Sequence, residues 1–160
     1  MTSDATIVDR FWDELEKSPF LMIGPEHAEG VHSEPMTAQC DSRHGPIWFY
    51  TARGNRLVEN LSSGNHAMAH YASKGHDLFA CIHGTLSIES DPAVIDRFWS
   101  NDVAAWYPQG RDDPSLTMLR FDTDRAELWL AELSAAGKVK LLFGGDLRAE
   151  GRDKHAEVAL

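Results

Sequence analysis

The chain has 160 residues, enough for one domain with a sizeable buried core that needs no disulfide or structural metal. Its formal net charge of -10 at pH 7 excludes a nucleic-acid-binding protein, because phosphate would be repelled over most of the surface. Two cysteines make no disulfide framework, no stretch reaches the ~20 apolar residues of a membrane span, and the N-terminus lacks signal-peptide features. We therefore expect a cytoplasmic protein that acts neither on nucleic acid nor in a membrane.

The first predicted element is an amphipathic helix near the N-terminus. Ser3 can cap it, Ile7, Phe11 and Leu15 recur at four-residue spacing, and Pro19 ends the run. A helix with a single apolar stripe has to lie on another surface.

Short strands follow, separated by turn residues, and they are predicted at residues 20–23, 31–40, 47–51 and 67–71. Pro35 lies inside the second of these, and a proline in a strand favours an edge position or a bulge. A short helix is predicted at residues 55–61, and Gly64 can terminate it.

The clearest strand covers residues 78–89, where apolar and more polar positions alternate. Gly84 interrupts this alternation and marks a sharp bend or the close approach of a neighbouring strand. Asp91 and Pro92 then have the order of a capping acid and a proline in the first turn of a helix. The aromatic segment 105–110 is predicted to be a loop.

The end of the chain predicts a final hairpin, with strands at 116–121 and 126–132 around a turn at 122–125. Val139, Leu142 and Phe143 suggest a weak last helix. The six or seven strands occur in succession, without regular alternation with helices. The pattern therefore favours a mainly β fold with flanking helices, built as a closed or partly closed antiparallel barrel.

Several common kinds of functional site have no support in the sequence. No phosphate-binding P-loop motif occurs, and Gly144-Gly145 neither follows a strand nor opens a helix, which argues against a Rossmann site. His66 and His70 lie on a predicted strand without a Cys/His cluster of zinc spacing, so no metal site is predicted. The serines form no nucleophile elbow.

Three segments carry candidate binding groups. In residues 46–61 a strand ends, a loop carries Arg53, and a helix opens near Asn55, an arrangement that suits a mononucleotide phosphate. A capped helix with solvated arginines is the alternative for this segment. In residues 31–39 the proline leaves backbone groups free for the edge of a flat heteroaromatic ring, or marks an ordinary edge strand. The aromatic residues of 105–110 suit a stacking site, an interface or a satellite cluster under the loop.

An ordered set of seven short motifs runs through the chain: P-M-T at 35–37, W-F-Y-T at 48–51, G-T at 84–85, D-P at 91–92, A-W-Y-P-x-G at 105–110, D-D-P at 112–114 and A-E-L-W at 126–129. Together these motifs resemble those of general stress proteins in the pyridoxamine-phosphate-oxidase-like, FMN-binding split-barrel superfamily. The resemblance covers roughly residues 5–133.

The resemblance implies a six-stranded antiparallel split barrel, a homodimer, and FMN at the subunit interface, with FAD as the second choice. Residues 1–145 would form the single FMN-binding split-barrel domain, and residues 146–160 a charged C-terminal tail. The cofactor-binding residues that it implies are Pro35, Met36, Thr37, Phe49, Tyr50, Thr51, Arg53, Asn55, Arg56, Leu57 and Trp106.

Each group of these residues has an implied role. Residues 35–37 would run along the flavin ring, and residues 49–51 would supply backbone and hydroxyl contacts. Residues 53–57 would hold the phosphate, and Trp106 would come from the partner subunit to close the pocket.

The chain departs from its relatives at two places near the implied phosphate. Glu34 stands where many relatives carry arginine, and Asn55 and Leu57 stand where many carry serine and lysine. A carboxylate beside a phosphate is unfavourable, whereas Arg53 and Arg56 supply positive charge there. We therefore expect reduced or altered flavin affinity.

The function that the resemblance implies is a small flavin-dependent oxidoreductase whose electron donor and acceptor are unknown. No acid/base pair stands out, since His32 and His83 suit structural roles, so a non-catalytic flavin-binding or redox-sensing stress protein is the alternative. Pyridoxamine-phosphate oxidation is a further alternative, although the C-terminal motifs that bind its substrate are not evident. The same barrel can also hold FAD, a deazaflavin or haem, because a fold does not fix its ligand.

Overall fold

The computed structural model describes residues 3–27, 29–61, 65–131 and 155–160. In chain order its elements are α1 (Asp4–Lys17), β1 (Phe20–Pro25), β2 (Glu34–Thr37), β3 (Ile47–Ala52), α2 (Arg56–Glu59), β4 (Asn65–Ala72), β5 (Leu78–Glu89), α3 (Pro92–Arg97), α4 (Asn101–Ala104), a 3₁₀ turn (Gly110–Asp112), β6 (Leu116–Leu130) and β7 (His155–Ala159).

The seven described strands form one antiparallel sheet. Six of them follow the order β2-β1-β4-β5-β6-β3, and β7 is added beside β6. The long β6 pairs with β5 on one side, while its other side pairs first with β3 and then with β7. A bridge between Gln39 and Trp48 brings the chain after β2 to β3, so the ends of the path approach without forming a continuous ladder. The predicted split barrel is confirmed, with a seventh strand added to the six that the resemblance implies.

The predicted final hairpin is wrong, because residues 116–130 form one strand. The polar segment that suggested a turn stays paired with β5, where Asp122 lies opposite Thr85 and Thr123 opposite Gly84. The predicted irregularity falls at Gly84, where the register shifts. A Cβ at this position would lie 2.2 Å from the carbonyl oxygen of Asp122, so the two strands approach more closely than any other residue would allow.

Other elements differ from the prediction in extent. The second strand is limited to β2, and Pro35 lies there at one end of the strand path, as expected for a strand proline. Residues 101–104, in the run before the aromatic loop, form the short helix α4. Within the segment assigned to the C-terminal tail, residues 155–159 form β7, because alternate side chains such as Ala156 turn toward the core. The helix suggested around Val139 lies outside the described residues.

The main core lies between α1 and the inner face of the sheet. The predicted cap is present, since the Ser3 side chain accepts a hydrogen bond from the Thr6 amide, and the predicted apolar stripe is buried. Phe11 is fully buried and packs edge-on against Tyr71, with ring centres 5.7 Å apart. The Tyr71 hydroxyl donates to the Glu14 carbonyl at 2.7 Å, so α1 is fixed to β4 by both packing and a hydrogen bond. No helix within the described ranges is long and apolar enough to cross a bilayer.

A smaller cluster lies apart from the main core, beneath α3 and α4. Val103, Tyr107 and Leu116 form its buried centre, and Tyr50 and Trp99 are among the side chains that pack against it. The cluster joins the end of β3 to the segment that carries the aromatic motif. It therefore positions one wall of the cleft described next.

Candidate functional site

A cleft of about 650 Å³ opens between β2, the end of β3 and α4. Because β2 ends the strand path, one side of its backbone carries no strand ladder within the described residues. Seven of the predicted cofactor-binding residues line this cleft: Pro35, Met36, Thr37, Tyr50, Thr51, Asn55 and Trp106. The tertiary structure thus brings segments from three separate parts of the chain to one place.

Two tyrosines form a fixed aromatic wall on one side of the cleft. The Tyr107 hydroxyl donates to the Thr51 carbonyl at 2.8 Å, and the Tyr50 hydroxyl donates to the Ile95 carbonyl. Burial raises the pKa of Tyr50 and of Tyr107 to about 12. Both phenols therefore stay protonated at neutral pH, where they act as hydrogen-bond donors and not as general bases.

Asn55 connects the two sides of the cleft at one end. Its side-chain oxygen accepts from the Leu57 amide at 2.7 Å and so caps α2, as the sequence predicts for the helix start. Its side-chain nitrogen donates to a carboxylate oxygen of Glu34 on β2. One amide side chain thereby holds the loop after β3 against the edge strand.

The two predicted phosphate-binding arginines lie outside the cleft lining. Arg53 and Arg56 are exposed and make no ion pair or side-chain hydrogen bond with other residues in the described ranges. Arg53 borders a neighbouring depression of about 410 Å³, which Arg111 and three acidic residues also line. The guanidinium groups of Arg53 and Arg56 are therefore available to an anion that approaches the loop from its outer side.

Phe49 and Leu57, two further predicted contacts, have their side chains in the main core. Phe49 is 0% exposed and Leu57 is 3% exposed, so neither side chain faces the cleft. The structure also adds lining residues that were not among the predicted cofactor contacts, including Phe20, Asp102 and Tyr107. Tyr107 directly follows Trp106 in the aromatic motif, and its burial could not be read from that position.

A tight turn next to the cleft depends on Asp113. Its carboxylate accepts from the Ser115 hydroxyl at 2.7 Å, from the Ser115 amide at 2.9 Å and from the Gln109 amide at 3.1 Å. These hydrogen bonds, led by that of the Ser115 hydroxyl, hold the pKa of Asp113 below its usual value. The turn fixes Ser115, which lines the cleft and whose carbonyl accepts from the Arg53 amide.

An exposed apolar patch continues from the cleft onto the outer face of the sheet. Phe20 is 64% exposed, and Met22, Phe79 and Trp129 are also exposed on this face. Phe20 and Pro35 line both the cleft and the shallow depression of about 580 Å³ over this patch. Trp106 is 82% exposed at the rim of its own chain's cleft.

The histidines that the sequence considered do not line the cleft. His66 and His70 are exposed on β4, and His83 on β5 contacts Glu26 at 3.2 Å. Among the described residues, Glu127, His155 and Glu157 have ligand atoms within 4.8 Å of one another, a spacing compatible with a cation. These side chains lie largely exposed near the edge strand β7, where such groups are common without a metal, and no metal role follows from their placement.

Comparison with known proteins gives consistent similarities. The family model described as pyridoxamine 5'-phosphate oxidase like matches residues 6–145. The general stress FMN/FAD binding protein of Xanthomonas citri is 44% identical, with 81% of this chain and 92% of that chain covered and a TM-score of 0.76. A protein of the general stress protein 26 type from Jannaschia sp. CCS1 is 30% identical, with 98% and 99% covered and a TM-score of 0.78. No curated protein matches the chain.

Proposed function

The chain belongs to the pyridoxamine 5'-phosphate oxidase like family, and on that premise we propose that it is a stress-related protein that binds a flavin, FMN before FAD. The cleft between β2, β3 and α4 is the proposed binding site. The observation that carries the proposal is the convergence of three separated parts of the chain on this single cleft, namely residues 35–37, residues 50–52 with Asn55, and Trp106. The similar Xanthomonas protein, described as an FMN/FAD binding protein, supports the same ligand class.

The lining of the cleft fits a flat heteroaromatic ring. Such a ring needs an apolar slot and a few hydrogen-bonding groups at its edge. Met36, Tyr107 and Trp106 supply apolar and aromatic surface, and the free backbone edge of β2 supplies donors and acceptors beside it. When bound, the flavin would supply hydride and electron transfer, while the protein orients the ring and limits access of water.

The phosphate end of the ligand is proposed to lie at the loop after β3. Arg53 and Arg56 are the cations of this loop, and within the described ranges neither is used by another side chain. A phosphate there would form charge-assisted hydrogen bonds with the guanidinium groups. The contacts of Phe49 and Leu57 would then come from their backbone, since both side chains lie in the core.

A homodimer is proposed as the functional unit. The exposed apolar patch of Phe20, Met22, Phe79 and Trp129 is of the kind that marks an interaction surface, and it is continuous with the cleft. A second copy on this patch would cover the open side of the cleft, and the resemblance to the family implies that the Trp106 of that copy contacts the ligand. Two-fold symmetry would give two equivalent sites.

The proposed activity is that of a small flavin-dependent oxidoreductase with unknown donor and acceptor. A non-catalytic, redox-sensing role is the second candidate. It is favoured by the small number of acid/base groups among the described lining residues, since both tyrosines stay protonated and Glu34 is bonded to Asn55, which leaves Asp102 as the other carboxylate of the lining. Steady oxidation of NADH or NADPH by the purified protein would support the first candidate, and formation of pyridoxal phosphate would support the vitamin-forming reaction instead.

The first experiment is a visible absorption spectrum of the purified protein, with chromatography of the released chromophore. Flavin bands and release of FMN are expected. A colourless protein that also fails to take up FMN or FAD would contradict the proposal.

The loop assignment is tested by Arg53→Ala. We expect about 10-fold weaker FMN binding and an unchanged oligomeric state, because one charge-assisted hydrogen bond is lost. Arg43→Ala is the matched control, since Arg43 is paired with Asp9 and Asp13 on another surface. Unchanged FMN affinity in Arg53→Ala would remove the phosphate from this loop.

A further inference from the structure

We propose that Glu34 acts as a charge gate of the cleft, which lowers the affinity for a phosphorylated flavin relative to an unphosphorylated one. The proposal rests on the proposed flavin site and names the residue that sets its choice among flavins. The carboxylate of Glu34 would lie beside the loop after β3, which is proposed to bind the phosphate of the ligand.

The position of the carboxylate follows from its hydrogen bond. Glu34 is the first residue of β2 and lines the cleft, and a carboxylate oxygen accepts from the side-chain nitrogen of Asn55. Asn55 is also the N-cap of α2, directly in the loop that carries Arg53 and Arg56. A negative charge is thereby fixed at the start of the proposed phosphate loop and does not point away into solvent.

The side chain of Asn55 is already engaged at both of its polar atoms. The side-chain oxygen of Asn55 accepts from the Leu57 amide at 2.7 Å, and its side-chain nitrogen is taken by Glu34. A phosphate that entered the loop from the cleft would find this capping bond made and a carboxylate beside it. It would either displace Glu34 from Asn55 or remain on the outer side of the loop, next to the two arginines.

The charge of the cleft lining also disfavours a phosphate. Its two ionisable acidic residues are Glu34 and Asp102, and none of its lining residues is a lysine or an arginine. The protein as a whole carries a formal charge of -10. A doubly charged phosphate therefore meets unfavourable electrostatics from inside the cleft, whereas the uncharged ring and ribityl chain do not.

The test is the ratio of two affinities in one protein. Dissociation constants of FMN and of riboflavin, which lacks the phosphate, are measured by quenching of flavin fluorescence for the native protein and for Glu34→Gln. Glutamine keeps an oxygen that can accept from Asn55 but removes the charge. We expect FMN to bind about 10-fold more tightly to Glu34→Gln at low salt, and riboflavin to change by less than about 2-fold. The gain should shrink as ionic strength rises.

Asp102→Asn is the matched control, because it removes the same charge from the same cleft, but from α4 and not from the residue bonded to Asn55. Because Asp102 also contributes negative charge to the cleft, its removal should raise the ratio of FMN to riboflavin affinity, but by clearly less than Glu34→Gln does. Thermal unfolding of both variants is measured alongside, so that a loss of structure is recognised as such.

The outcomes separate this inference from the proposed function. If both flavins bind and Glu34→Gln leaves their ratio unchanged, Glu34 is not a charge gate, while the flavin site stands. If Asp102→Asn changes the ratio as much as Glu34→Gln does, the effect belongs to the general charge of the cleft and the specific role of Glu34 is overturned. If neither the native protein nor any variant binds FMN or riboflavin, the proposed function is wrong, and the proposed role of Glu34 is wrong with it.

Discussion

The main core and the cleft wall use aromatic residues in different ways. In the core the large, fully buried aromatic residues are Phe11, Phe49 and Phe121, which have no polar atoms in their side chains. In the cleft wall the corresponding places are held by Tyr50 and Tyr107, whose hydroxyls donate to backbone carbonyls. Apart from Tyr71, whose hydroxyl donates to the Glu14 carbonyl, the aromatic residues of the core stabilise it mainly by burial. The wall depends on hydrogen bonds for both of its tyrosines, which fix the rings beside the cleft.

The largest effect is expected from truncation in the core. Phe11→Ala should lower the free energy of unfolding by about 3–5 kcal/mol, because a fully buried ring is lost and a cavity remains between α1 and β4. Chemical denaturation followed by circular dichroism measures it. A decrease of the free energy of unfolding by less than about 1 kcal/mol would mean that α1 contributes little to the core. The main core and the cleft wall would then not differ in how they use aromatic residues.

The close approach of β5 and β6 at Gly84 should be nearly as sensitive. In Gly84→Ala the new methyl group would meet the Asp122 carbonyl oxygen at 2.2 Å and a ring atom of Phe121 at 2.8 Å. The strands must then move apart, which we expect to cost about 1–3 kcal/mol in denaturation experiments. Gly54→Ala is the control, since nothing lies within 4 Å of its added Cβ, and its stability should not fall. Equal losses in both variants would contradict the close-contact explanation.

A smaller effect is expected in the cleft wall. Tyr107→Phe removes the donor to the Thr51 carbonyl but keeps the ring, so the free energy of unfolding should fall by about 1 kcal/mol. Flavin affinity should fall as well, because Thr51 lines the cleft next to this bond. The two quantities are measured by denaturation and by fluorescence titration on the same preparation. If neither the free energy of unfolding nor the flavin affinity changes, the wall is held by packing and not by this hydrogen bond.

The smallest effect on stability is expected at the rim. Trp106 is 82% exposed, so Trp106→Ala should change the free energy of unfolding by less than about 0.5 kcal/mol. Its influence should appear in the fluorescence of bound flavin, and should be strongest while the protein is dimeric, because a second copy is proposed to cover the cleft. Together with Phe11→Ala, this variant gives the sharpest contrast between an aromatic side chain used for stability and one used for the ligand. A loss of stability comparable to that of Phe11→Ala would remove the contrast.

Much of the local structure could be predicted from the sequence because it depends on neighbours a few residues apart. Ser3, Asn55 and Asp91 each accept a hydrogen bond from an amide two or three positions ahead, so their capping roles follow from residue type and position. The buried stripe of α1 follows from its four-residue spacing in the same way. Three of the segments that build the cleft were also visible as motifs.

Contacts between distant parts of the chain were decided only by the tertiary structure. The sequence of residues 122–125 indicates a turn, yet pairing with β5 keeps β6 continuous, since only the neighbouring strand supplies the partners. Likewise residues 155–159 form the strand β7 because they pair with β6. The short sequence of β7 does not itself indicate this partner. The hydrogen bond between Glu34 and Asn55 joins residues 21 positions apart. From the sequence, Glu34 could be recognised as an unusual residue near a proposed phosphate loop. Its contact with Asn55 could not, because that contact depends on how β2 and the loop after β3 are brought together in the folded protein.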